Sequence, residues 1–171
     1  MSEPRSDVAT PADSWTPAAR RILRASAELF ARRGYFATTT RDIAAVVGIK
    51  QPAIYKHFAT KDAILGALVR LGLEYPFGFA EQLHTVSAPA AARLYCWLTR
   101  SLSHFQSSPY VLASMLVTPE LQQDQFAPER ALFDRMEQLV ADLVAEGQAA
   151  GDLRPLEPMT AARLILALFD A

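Results

Sequence analysis

The chain has a single cysteine, Cys96, among its 171 residues, so no disulfide can form within it. That is compatible with a cytoplasmic protein, the localisation expected here. No signal-peptide pattern opens the chain, and no apolar run reads as long enough to cross a membrane, so no membrane partner is expected. Strict alternation of polar and apolar residues is scarce, and no stretch reads as a strand or hairpin. P-loop, GxSxG, HExxH and CxxC patterns are all absent. The three histidines, His57, His84 and His104, are scattered. Cys96 and His104 lie eight positions apart, about 12 Å along one helix, too far to share an ion. No catalytic residue, metal or cofactor is therefore expected, and these four side chains read as structural or surface groups. Net charge is only −1, which by itself says nothing for a nucleic-acid binder.

What is present points to helices. Hydrophobic residues make up 51% of the chain, enough to argue against wholesale disorder. They recur at spacings of three and four, so the fold class is all-α. A chain of this length suits one or two compact domains with a real core. Charge is unevenly placed. Residues 1–61 hold 10 Lys+Arg against 5 Asp+Glu, and residues 62–171 hold 7 against 13. A basic front end is what phosphate binding requires, although solvated helices also carry uneven charge.

Residues 1–15 are polar, hold two prolines and show no periodicity, so they read as a flexible arm. Thr16-Pro17 predicts an N-cap with proline at the first helical position. That helix runs to about Arg33, packs Ile22, Leu23, Leu29 and Phe30 inward, and stops at Gly34. A helix starting near Lys61 or Asp62 carries Ile64, Leu65, Leu68, Val69 and Leu71. Tyr75-Pro76-Phe77-Gly78 is expected to end or bend it. Further helices are expected over 89–106, 109–118 and 128–150. The stripe of the last is Leu132, Met136, Leu139, Val140, Leu143 and Val144, with Gly151 as its C-cap. A final helix from Pro158 is apolar nearly all round, which predicts burial on several sides. There is no internal repeat.

The most telling stretch is Gly34–Lys61, GYFATTTRDIAAVVGIKQPAIYKHFATK. Thr39 is a good N-cap, and Asp42 three positions on completes a variant capping box. Ile43, Ala44 and Val47 give the short helix one apolar face. Gly48 permits the left-handed conformation that a tight turn needs. Pro52 fits only a first helical turn, so the next helix starts near Gln51. Ala53 keeps that helix slim, while Ile54 and Phe58 at i, i+4 face inward. Gln51, Ala53, Tyr55, Lys56 and His57 are left for DNA or solvent.

At these residues the chain resembles the TetR family of transcriptional regulators. The resemblance rests on LFARRGY (Leu29–Tyr35), TTTRDIAAVVGI, QPAIYKHF and the following Lys61, and it covers roughly residues 17–65. It implies a three-helix helix-turn-helix head at 16–61 and a helical effector-binding and dimerisation part at 62–171. It implies a homodimer on double-stranded operator DNA, usually a repressor, released by a small-molecule effector. Tyr55 and Lys61 take backbone-contact roles from the family. The residues themselves suggest the rest. Thr39 and Thr40 offer hydroxyl and N–H groups to a phosphate, and Arg41 adds charge there. Lys50, standing where the family often has a Ser or Thr cap, and Gln51 suit base edges, Lys for guanine and Gln for adenine. Ala53 suits a thymine methyl, and Lys56 and His57 reach phosphate.

The effector side is thinner. Trp97, His104, Phe105, Tyr110, Met115 and Phe133 are candidate pocket residues, favouring an apolar or aromatic ligand over a phosphorylated one. Each is also an ordinary core candidate. The family's last two helices form its dimer interface, which here assigns Leu164, Ile165, Leu168 and Phe169 to that role. The chain then reads as about one helix short of the family layout. Three readings stay open: a ligand-released dimeric repressor, a DNA-binding regulator without a small-molecule effector, and a small all-α enzyme or scaffold that only resembles a helix-turn-helix.

Overall fold

Thr16 caps the first helix through its hydroxyl, which accepts the Ala19 N–H at 3.2 Å, and Pro17 takes the first helical position. The structure is a computed structural model that describes residues 15–110 and 119–170. Helix α1 spans Pro17–Arg33 and ends at Gly34, whose φ is +82°. Two short helices follow, α2 at Thr40–Val47 and α3 at Gln51–Ile54. Helix α4 covers Lys61–His84, α5 Ala90–Ser107, α6 Ala127–Ala149 and α7 Pro158–Leu166. Short 3-10 turns at Pro119–Gln122 and Asp124–Phe126 lead into α6, and another, Ala167–Asp170, continues α7. Among the described residues there is no strand, so the class is all-α.

Local chemistry sets most ends. Thr60 caps α4 by accepting the Ala63 N–H at 3.0 Å. The Glu157 carboxylate accepts from the Thr160 hydroxyl at 2.6 Å and caps α7 by accepting from Met159 N at 2.9 Å and Thr160 N at 2.6 Å, bonds that together hold its pKa below the usual carboxylate range. The C-cap of α6 falls one residue ahead of Gly151: it is Ala150, and Gly151 takes the left-handed conformation (φ +81°) just beyond it. The helix expected over 109–118 falls on residues 111–118, outside the described ones. Pro119 opens a 3-10 turn.

Two expectations are corrected. Pro76 neither ends nor visibly interrupts α4, which runs on for eight more residues. Its missing N–H removes one helical bond, but the helix is packed on both sides of it, and Pro76's own carbonyl accepts the Trp97 indole N–H at 2.9 Å. The result is a 24-residue helix that, by length and composition alone, is apolar enough to span a membrane, contrary to the expectation. Here most of its apolar surface is covered by protein.

Two buried clusters form along α4. One joins Ile22, Leu23 and Phe30 of α1, Ile43 and Val47 of α2, Ile54 of α3 and Ile64, Leu65 and Leu68 of α4. Leu121 and Phe126, from the turns before α6, belong to the same cluster. The other joins Ala80 and Leu83 of α4 to Leu94 and Trp97 of α5, Met136, Val140 and Val144 of α6, and Ala162 and Phe169. One helix therefore contributes to both cores. An ion pair between Arg70 of α4 and Glu129 of α6, the latter nearly fully buried, ties the helices together where the clusters meet. A second pair, Arg93–Glu146, joins α5 to α6.

Candidate nucleic-acid interface and effector pocket

The turn between α2 and α3 is built from its caps. The Thr39 hydroxyl accepts Asp42 N–H at 3.2 Å, and Thr39 N–H donates to the Asp42 carboxylate at 2.8 Å. The hydrogen bonds that the Thr39 hydroxyl and then the Thr39 N–H donate to it hold the Asp42 carboxyl below its ordinary pKa. The Thr39 hydroxyl also donates to Asp42 at 2.6 Å. Thr39 is thus fully occupied within the chain, and its expected hydroxyl and N–H are not on offer to a phosphate. Gly48, at φ +75°, returns its N–H to Ala44 and Ala45, and Arg21 of α1 donates to Val47 O at 2.6 Å. Lys50 caps α3 with no side-chain bond, as its ammonium can only donate.

Across that turn three expected residues meet. Gln51 Nε2 donates to Thr40 Oγ1 at 2.9 Å and reaches Tyr55 OH at 3.4 Å. Thr40 Oγ1 and Tyr55 OH share a hydrogen bond at 3.2 Å. The network fixes the start of α3 against the start of α2, and Tyr55 remains 49% exposed. Regular helix stops at Ile54, but His57 and Phe58 N–H still donate to Ile54 O at 2.9 and 3.0 Å. Ile54 and Phe58 are buried, as their spacing predicts. Arg41, Lys50, Lys56 and His57 are exposed, and Ala53 is half-buried. His57 Nδ1 lies 3.5 Å from Thr16 Oγ1.

Lys61 behaves differently from the rest. Its ammonium donates to Tyr35 O at 2.7 Å and Thr38 O at 2.9 Å, and sits 4.0 Å above the Tyr35 ring. Burial lowers its pKa. Two of its three N–H groups are spent bracing the turn between α1 and α2. The Tyr35 hydroxyl bonds the Asp62 carboxylate, and burial raises its pKa, so the phenol stays protonated. Phe36 is 70% exposed beside this turn, its ring edge-on to Tyr35 at 5.6 Å. Sequence reasoning passed over Phe36, because a lone aromatic in a turn carries no periodic signal.

The pocket candidates divide. Trp97, Phe105 and Phe133 line one small cavity together with Pro76, Met136 and Phe169. Its volume is about 20 Å³, room for little more than a water molecule. His104 is not on its wall; its ring stacks on Tyr75 at 4.5 Å, and burial lowers its pKa. Tyr110 packs against the core that contains α1–α3. Met115 lies outside the described residues.

The last helix is not buried on several sides. Leu164 is 60% and Leu168 58% exposed, and Ile165 is half-buried. Phe169 is buried against Trp97 and Phe105, with ring centroids 5.6 and 5.2 Å away, so it belongs to the chain's own core rather than to an outward face. Residues 165 and 169 fall one turn apart on the inner side, and 164 and 168 on the outer.

Known proteins share this arrangement. The family model for bacterial regulatory proteins of the tetR family matches residues 22–68. The HTH-type transcriptional repressor KstR2 of Mycolicibacterium smegmatis is 31% identical over 145 residues, spanning 81% of this chain and 70% of that protein. The crystal structure of Mycobacterium smegmatis AmtR superposes with a TM-score of 0.83 at 35% identity, covering 91% of this chain and 75% of that one. AibR, solved in complex with isovaleryl coenzyme A and operator DNA, shares the fold at a TM-score of 0.75 and 20% identity, covering 90% of this chain and 86% of its own.

Proposed function

The chain belongs to the TetR family of bacterial transcriptional regulators, and we propose that it is a repressor that binds a palindromic operator as a homodimer and is released by a small, mostly apolar ligand. Residues 16–61 form its DNA-binding part and residues 62–171 its effector-binding and dimerisation part. Its relatives are regulators, which sets aside the reading as an enzyme or scaffold at the level of the family. A cytoplasmic location follows from the same reading.

The observation that carries the DNA role is the Thr40–Gln51–Tyr55 network beside the exposed cations Arg41, Lys50 and Lys56. It holds α3 ready to enter the major groove, where Gln51 and Lys50 read adenine and guanine edges and Ala53 meets a thymine methyl. Tyr55, Arg41, Lys56 and His57 bind the phosphate backbone. The Thr40 N–H, left without a helical partner in the first turn of α2, joins them. Thr39 contributes by capping α2, and Lys61 by bracing the turn. The outward Leu164 and Leu168 meet the partner subunit. Release follows if ligand favours a spacing of the two heads away from the 34–36 Å of one DNA turn.

Binding to DNA from upstream of the gene, with scrambled DNA as control, tests this reading. The regulator binds the upstream DNA selectively, loses affinity steeply with salt and loses it in a Tyr55→Ala, Lys56→Ala variant. Equal binding to both DNAs by a proven dimer counts against it. AibR's ligand and operator complex supports a small-molecule effector only by likeness of fold. Ligand-insensitive operator binding would favour the second reading, a regulator without one.

A further inference from the structure

Gly66, Arg70 and Glu74 stand one turn apart on one side of α4. Glu129, in the first turn of α6, lays its carboxylate over the first of them. A Cβ on Gly66 would stand 2.7 Å from Glu129 Oε1 and 3.2 Å from its carboxyl carbon. Glycine inside a helix is disfavoured against alanine, and here its missing side chain makes room for the acid. The Glu129 side chain is 5% exposed, and Arg70, the cation paired with it, is 47% exposed. A buried carboxylate that loses its cation is left uncompensated, so this pair resists separation.

One turn further along α4 stands a second acid. Glu74 Oε2 is buried and has no hydrogen-bond partner among the described residues. Burial raises the Glu74 carboxyl pKa, and the charge of Arg70 opposes the rise. Residues at i, i+4 on a helix are within reach of each other, so Arg70 has two acids available, one on α6 and one on its own helix. The helix is weakest beside them. Pro76 has no N–H for Gly72 O, so α4 lacks one rung there. Before that gap Ile64, Leu65 and Leu68 pack with α1–α3, and beyond it Ala80 and Leu83 pack with α5 and α6. Leu121 and Phe126, just ahead of α6, make apolar contacts, which are non-directional and permit a small slide. The ion pair permits it only if the cation finds another acid.

We propose that Arg70 is a two-position latch: on Glu129 it holds the head-side half of α4 to α6, and on Glu74 it frees that half to shift. The regulatory part of this inference rests on the reading that a changed spacing of the heads releases the operator.

Thermal melts of the full chain test the latch by mutant cycles. Arg70→Met and Glu129→Gln together lower Tm by less than the sum of their single effects, because they break one pair. Arg70→Met and Glu74→Gln add in the parent and stop adding once Glu129→Gln is present, because Arg70 has then moved to Glu74. Gly66→Ala, which displaces the Glu129 carboxylate without touching a charge, switches on the same coupling. Additive effects of Arg70→Met and Glu74→Gln in every background overturn the proposal, and so does equal coupling in the parent. Affinity for upstream DNA is measured beside the melts. Glu129→Gln shifts it by about fivefold or more, and adding Glu74→Gln takes most of the shift back. No shift, or one that the second substitution leaves in place, overturns the regulatory role. A parent that does not prefer upstream to scrambled DNA defeats the regulator reading instead, and the melts then decide the latch alone.

Discussion

Replacing Lys61 by Met keeps the alkyl stem over Tyr35 and removes the ammonium. Two carbonyls, Tyr35 O and Thr38 O, then lose donors at 2.7 and 2.9 Å, and the cation over the Tyr35 ring is gone. Each carbonyl left unpaired in a buried site costs about 1–3 kcal/mol, and a cation–π contact contributes about 0.5–1. Lys61 is only partly buried, so water recovers some of this, and a total of about 1–3 kcal/mol is expected. For a chain of this size that lowers Tm by roughly 3–10 °C. DNA affinity falls too, because the turn that leads into α2 loosens. Its dependence on salt does not change, since no phosphate contact is removed. Thermal melts by circular dichroism and operator titrations over a range of salt read both quantities. A variant that melts with the parent, and whose log-log salt slope drops by about 0.9 per head, would refute the bracing role. Lys61 would then be a phosphate ligand, as the family resemblance alone implies.

Asp42 has a depressed carboxyl pKa in the folded chain, so its contribution is present above the ordinary carboxylate range and is lost as pH falls through its folded value. NMR of the α2 amides should show that helix loosening in acid, below the ordinary Asp pKa of 3.8, and Asp42→Ala should show the looser helix at every pH. Phe169→Ala should lower Tm by removing a ring packed on Trp97 and Phe105, a loss of about 3–5 kcal/mol. Leu168→Ala should leave the melt of the isolated subunit nearly unchanged and weaken self-association in sedimentation. The reverse pattern would contradict the inward and outward assignment of α7.

The parts that sequence exposed are those decided within a few residues. Thr16-Pro17, Thr39 with Asp42, Gly48 and Pro52 each act on the backbone beside them, and the starts of α1, α2 and α3 and the end of α2 fall where those residues place them. Pro76 obeys the same local rule on paper, but a distant partner outweighs it: the indole that meets its carbonyl is 21 positions away. Leu164, Leu168 and Phe169 are alike as apolar letters, and only the position of α5 and α6 sends Phe169 inward and the two leucines out. In the head, Thr39, Tyr55 and Lys61 were all visible as polar residues of the right kind. Which of them turn inward depended on Asp42 and on the Tyr35 and Thr38 carbonyls, a matter of three-dimensional placement. The pocket was least legible, because Trp97, Phe105 and Phe133 are equally good core residues until a cavity is found between them.

The central claim is that the exposed face of the α2–α3 turn reads DNA. The most direct measurement is binding of the full chain to its upstream DNA against scrambled DNA, with Tyr55→Ala, Lys56→Ala alongside. Selective binding that weakens steeply with salt and disappears in the variant is the predicted result. Equal affinity for both DNAs, or full binding by the variant, from a protein shown to be dimeric and folded, would contradict it.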